Sequence, residues 1–156
     1  YDSVNLTVAL HPSETLERMM VRIVTYCLNA QENITLTKGL SNVEEPDIWV
    51  KTLDDLVTLW IEVGEPSPER IKKSSRLAPE VKVYSFNSKS NTWWDQTKSK
   101  VQPFKNVQFY QFNWQQIQEL ATFVERTMDW SLSISDDTVY ITAESQECEL
   151  VIKELT

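Results

Sequence analysis

Glu45-Pro46-Asp47-Ile48-Trp49-Val50-Lys51-Thr52-Leu53-Asp54-Asp55-Leu56-Val57-Thr58-Leu59-Trp60-Ile61-Glu62-Val63-Gly64 is the stretch that decides how this chain folds. Two strand signals, 47–51 and 56–63, flank Asp54-Asp55, and the second is nearly all apolar, as a central strand buried on both faces must be. A two-residue turn at Asp54-Asp55 joins them as a hairpin and sets Asp47 directly opposite Glu62 on one face. The two Cβ atoms then lie about 4.5–5.5 Å apart. Like charges so placed in an apolar strand destabilise it unless something neutralises them, and a divalent cation does so. Hard oxygen ligands select Mg²⁺ or Mn²⁺. The competing reading is an exposed edge hairpin, or a one-residue slip that sends the two acids to opposite faces.

Working outward, residues 4–10 read as the end of a strand, and His11-Pro12-Ser13-Glu14 opens a helix with Pro12 at its first position. Leu16, Met19, Met20, Ile23, Val24, Cys27 and Leu28 form its apolar face, with Glu14, Arg18 and Arg22 as a charged row beside it. A strand at 34–37 precedes the hairpin. Ser67 and Pro68 then start a helix that runs to about residue 77. A strand at 81–86, a short helix at 91–101 and a strand at 107–112 follow. Asn113 and Gln116 open a helix reaching about residue 126. The tail is a β-meander of strands 130–134, 138–142 and 148–153. The order helix, three strands, helix, strand, then meander predicts one α/β domain, 1–156, with a mixed sheet.

At 156 residues, with 41% hydrophobic and 24% charged residues, the chain has the size and composition of a single globular domain rather than a disordered or coiled-coil protein. No apolar run approaches the ~18 residues of a membrane span. The net charge of −8 conceals three blocks. Residues 1–69 carry 4 basic and 12 acidic groups, 70–105 carry 9 and 2, and 106–156 carry 2 and 9. The positive middle block either steers an anion to one region or is a solvated Lys-rich surface. Cys27 and Cys148 are too few for a disulfide framework; Cys27 sits in the apolar stripe of the first helix and Cys148 alternates in phase with Leu150 and Ile152, which predicts buried thiols in a reduced, cytoplasmic protein. Only Gly39 and Gly64 are present, where average usage of about 7% would give about 11, so each marks a demanding backbone position.

His11-Pro12-Ser13-Glu14-Thr15, Arg18-Met19-Met20, Thr37-Lys38-Gly39-Leu40-Ser41, Glu45-Pro46-Asp47-Ile48-Trp49, Leu59-Trp60-Ile61-Glu62-Val63-Gly64, Arg70-Ile71-Lys72-Lys73 and Trp93-Trp94 occur in that order. The chain thereby resembles the bacterial YaeQ family over essentially its whole length. The resemblance implies a variant of the restriction-endonuclease-like PD-(D/E)xK fold, in a chain lacking about twenty family residues at its N-terminus. It implies that Pro46-Asp47 is the "PD" and Glu62 the second acid, with Glu14 as a further acid on the first helix. Gly64 stands where the pattern has lysine, which leaves Arg70, Lys73 and Lys38 as substitutes for the missing cation.

Two functional expectations follow. In the first, the protein is an Mg²⁺- or Mn²⁺-dependent nuclease. Asp47 and Glu62 hold the metal with help from Glu14, and Arg70, Lys73 or Lys38 stabilises charge on the phosphate. Lys72, Lys73 and Arg76 guide the nucleic-acid backbone. In the second, the same fold binds nucleic acid or a protein partner without catalysis. His11 reads more readily as a helix-start residue than as an acid–base group. Trp93 and Trp94 either stack bases or, for at least one of them, join the core. Arg18 and Arg22 have Glu14 as a ready partner.

Overall fold

The computed structural model describes residues 5–10, 12–37, 45–144 and 146–156. Helix α1 (Leu16–Leu28) starts one turn later than the sequence suggests: Thr15 is its N-cap, its hydroxyl accepting from the Arg18 N–H at 3.2 Å. A hydroxyl that satisfies an orphan N–H caps better than Pro12. Pro12-Ser13-Glu14 therefore forms a lead-in ahead of the helix, and residues 5–10 have no regular structure instead of the expected strand.

Strand β1 (Ile34–Leu36) pairs antiparallel with β2 (Ile48–Lys51), and β2 pairs antiparallel with β3 (Val57–Val63). Helix α2 (Pro68–Leu77) crosses over to β4 (Glu80–Ser85), and α3 (Ser90–Val101) crosses over to β5 (Val107–Phe112), so β3, β4 and β5 run parallel. Ser67 caps α2 through the Arg70 N–H, with Pro68 in the first turn, as the sequence indicates. Helix α4 (Trp114–Ala121) is capped by Asn113, which accepts from the Gln116 N–H. It ends before the expected residue 126, because buried Phe123 turns back toward the core. Strands β6 (Trp130–Ser135), β7 (Thr138–Ala143) and β8 (Gln146–Leu155) form the meander.

The meander is part of the main sheet. The ten-residue β8 pairs antiparallel with β5, so one mixed sheet runs β1-β2-β3-β4-β5-β8-β7-β6. One face, with Leu59, Ile61, Val63 and Phe112, packs against α1 and α4 through Met20, Val24, Ile117 and Leu120. The other, with Trp60, Val81, Val83 and Phe109, packs against α2 and α3 through Ile71 and Val101. The fold is thus α/β with a mixed sheet, as expected, and its helices lie on both faces of that sheet. Among the described residues no helix is long and apolar enough to cross a membrane.

Candidate functional site

The hairpin register is the one the sequence implies, although its turn is not. Ile48 pairs with Ile61, Trp49 with Trp60 and Val50 with Leu59; Asp47 lies just beyond this paired stretch. The Asp47 N–H donates to the Ile61 carbonyl at 3.1 Å. In place of a two-residue turn there is a five-residue loop, 52–56, with Asp55 at φ 67°. That loop pairs Lys51 with Val57, and a bulge between Val50 and Lys51 leaves Thr58 unmatched and restores the register beyond it.

Both acids are buried, Asp47 at 4% and Glu62 at 7% exposure, and they are engaged from different layers. Asp47 lies just before β2. Its Oδ2 accepts from the Val63 N–H at 2.7 Å and its Oδ1 from Arg18 Nη2 of α1 at 2.5 Å. Glu62 Oε1 accepts from Trp60 Nε1 at 2.8 Å and from Arg70 of α2, with Nε at 3.0 Å and Nη2 at 2.9 Å. Arg70 Nη2 also donates to the Glu45 carbonyl at 3.0 Å. Burial pushes the Glu62 carboxyl above its ordinary pKa and neighbouring Asp47 adds to this, while Trp60 and Arg70 pull the other way. The carboxylate pair is therefore close enough to be felt electrostatically, and arginines supply the counter-charge that the sequence argument assigned to a metal.

Glu14 belongs to the same network. Its Oε2 accepts from Arg18 Nη1 at 2.7 Å and Arg22 Nε at 2.8 Å, and its Oε1 from Arg22 Nη2 at 2.6 Å. Burial raises its pKa, yet the bonds and charges of Arg22 and Arg18 outweigh that and leave it lowered. Arg18 thus bridges Glu14 and Asp47, and it also donates to the Val63 carbonyl at 3.2 Å. The i, i+4 spacing announces the Glu14–Arg18 pair. The reach of Arg18 to Asp47, the indole bond of Trp60 and the N–H of Val63 are tertiary and had no sequence signal.

Among the described residues no three His, Cys, Asp or Glu side chains converge into a metal-holding group. The oxygens gathered on the guanidinium of Arg18 are two carboxylates and one main-chain carbonyl, a hard-oxygen set that suits Mg²⁺ or Mn²⁺ by chemistry. Gly64, two residues after Glu62, has φ +119° and no atom within 4 Å of a built Cβ. Conformation rather than crowding selects glycine there, so a lysine would be strained. Lys38, Gly39 and His11 lie outside the described residues.

Lys72, Lys73 and Arg76 are exposed on α2, and Lys89, Lys98, Lys100 and Lys105 are exposed around neighbouring α3. These exposed cations of the positive block lie on and around the two helices that cover one face of the sheet, whereas Lys82 reaches Asn29 at the end of α1. Trp93 and Trp94 are half-buried against Phe109, with the Trp93 indole donating to the Pro66 carbonyl at 2.9 Å, so both are packing residues. Cys27 and Cys148 are free thiols, half-buried and buried, and burial raises both, Cys148 to about 11.

A family profile described as "YaeQ protein" matches residues 1–152. The chain is 35% identical over 147 residues to "Uncharacterized protein YaeQ" of Escherichia coli (strain K12), covering 94% of this chain and 81% of that protein. It is 36% identical over 146 residues to the protein of the same name from Salmonella typhi, covering 93% and 81%. The crystal structure of YaeQ protein from Pseudomonas syringae superposes with a TM-score of 0.95 at 35% identity, covering 100% of this chain and 87% of that one. That of YaeQ protein from Xanthomonas axonopodis pv. citri gives 0.92 at 30%, covering 96% and 85%. The likeness takes in the lead-in, the hairpin and the basic helices alike, and the chain belongs to the YaeQ family.

Proposed function

We propose that the protein is a divalent-metal-dependent phosphodiesterase of the PD-(D/E)xK type that acts on nucleic acid. The observation that carries this reading is the buried pair Asp47 and Glu62, in which burial and the charge of Asp47 push Glu62 upward despite Arg70. Asp47 and Glu62 would hold Mg²⁺ or Mn²⁺, which when bound supplies Lewis-acid polarisation of a phosphoryl oxygen and a more acidic water. Glu14, which pairs with Arg18 and Arg22, would assist as a further acid of the site. Arg70, beside Glu62, and Lys73 one turn along α2 would meet charge on a phosphate, in the role the motif gives its lysine. Lys38 is the remaining candidate for that role. Lys72, Lys73 and Arg76 contact the nucleic-acid backbone. Two free thiols, one half-buried and one buried, accord with a cytoplasmic setting.

A second reading, a nuclease-like fold that binds nucleic acid without cleaving it, is favoured by one specific observation. All three acids already carry arginine partners. Calorimetric titration with Mn²⁺ of wild type, Asp47→Asn and Glu62→Gln separates the two. Saturable binding lost in both variants, with cleavage of oligonucleotides lost in parallel, is the expected outcome. Cleavage retained by Asp47→Asn overturns the first reading. Binding that is indifferent to metal, but whose salt slope falls by about 0.9 per phosphate contact removed in Lys72→Ala/Lys73→Ala, establishes the second.

A further inference from the structure

Three oxygens from three separate segments converge on the guanidinium of Arg18. Glu14 comes from the lead-in, Asp47 from the residue before β2, and Val63 from the end of β3. The side chain is only 14% exposed, and the carboxylates it joins are 1% and 5% exposed. The arrangement is directed: Val63 fixes Asp47 through its N–H to Oδ2, which turns Oδ1 toward Arg18. Val63 also contributes its carbonyl to the same guanidinium nitrogen that Asp47 meets. Arginine has donors only and a permanent charge, so a nest of acceptors around it is a cation seat already filled.

We propose that Arg18 is the resident cation of this seat and that a divalent metal reaches Asp47 only when the side chain has withdrawn. The inference rests on the reading of Asp47 and Glu62 as a metal site and adds a built-in competitor to it. Arg18 uses different nitrogens for its two acids. Nη1 can stay on Glu14, itself locked by Arg22, while Nη2 leaves Asp47 and the Val63 carbonyl. The withdrawn edge of the guanidinium is then open to a phosphate, which it matches in charge and fork geometry. Metal and Arg18 exclude one another at Asp47, so the apparent metal affinity of the wild type is lowered by the fraction of molecules in which the seat is vacated.

The test uses Mn²⁺ alone as probe, on the wild-type chain, Arg18→Gln and Arg18→Lys. Affinity is read by calorimetry and the Mn²⁺-induced shift in Tm is recorded alongside, after near-UV circular dichroism has verified native packing. Arg18→Gln is expected to bind Mn²⁺ at least about tenfold more tightly, about 1.4 kcal/mol, and to show the larger metal-induced rise in Tm. Arg18→Lys, which keeps the charge but loses the fork, falls between. If Arg18→Gln does not fold even with Mn²⁺, the comparison is made with Arg18→Lys, whose affinity must exceed that of the wild type. Equal affinity in wild type and the folded variants overturns the resident-cation role and leaves the metal site standing. Absence of Mn²⁺ binding in every variant overturns the metal reading itself, and the present inference with it.

Discussion

Glu14→Gln removes one negative charge from a place where two guanidiniums share it. The carboxylate is 1% exposed and receives three hydrogen bonds of 2.6–2.8 Å from Arg18 and Arg22. Removing one partner of a buried ion pair costs about 3–5 kcal/mol. Glutamine keeps one acceptor, Arg18 keeps Asp47 and Arg22 keeps the Ala9 carbonyl at 3.1 Å, so the lower end, about 3 kcal/mol, applies. For a domain of this size that corresponds to a fall in Tm of about 6–12 °C. The pH dependence has a definite sign. Burial raises the Glu14 pKa, but Arg22 and Arg18 together hold it below the ordinary value. Its stabilisation is therefore fully present above the unfolded value of about 4.3 and is lost as pH falls through the lower native pKa. Urea unfolding of wild type and Glu14→Gln from pH 7 to pH 3 should show a gap that narrows only below about pH 4.3. Asp55→Asn is the control: its bond to Lys51 is 3.3 Å, but Asp55 is 81% exposed. It should change stability by no more than about 0.5 kcal/mol. A loss of less than about 1 kcal/mol for Glu14→Gln at pH 7, or a gap unchanged by acid, would refute the buried-network argument.

Two further outcomes are expected. Glu62→Gln should be more stable than wild type at pH 7, since Gln Oε1 still accepts from Trp60 and Arg70 and no charge is buried. Because the native Glu62 pKa is raised, the penalty of its charge is present above that pKa and gone below about 4.3, so the advantage should vanish on acidification in the same urea series. A Glu62→Gln protein less stable than wild type at pH 7 would show that Arg70 depends on the charge. Gly64→Ala should cost about 1–3 kcal/mol from backbone conformation alone, since a Cβ meets nothing; unchanged thermal unfolding would contradict that strain.

Much of the fold is legible because its signals are local. Ser67-Pro68 and Asn113 with Gln116 are capping chemistry that acts within one turn, and the apolar run of β3 leaves few alternatives to a central strand. The start of α1 was misplaced because Pro12 and Thr15 are both competent signals, and only the hydroxyl bond to the Arg18 N–H decides between them. The hairpin shows a compensation that sequence cannot display: an odd-length loop and a one-residue bulge together restore the register that an even turn would give. Beside the site, the pairing of Ile48–Val50 with Leu59–Ile61 was readable. The neutralising partners were not, because Arg18 and Arg70 arrive from helices on opposite faces of the sheet, and that convergence exists only after the layers have packed.

The far end of the sheet carries a different consequence. Strand β6 reads Trp130-Ser131-Leu132-Ser133-Ile134-Ser135, holds no charged residue or proline, and pairs on one side only among the described residues. Such an edge is a template for another strand, and proteins usually blunt it with lysine, proline or a bulge. Asp129, Asp136 and Asp137 bracket this one, and the whole molecule carries −8. Colloidal repulsion thus does the work that sequence on the edge itself does not. Protonating or screening those carboxylates would bring like edges within reach of one another before the core had begun to loosen.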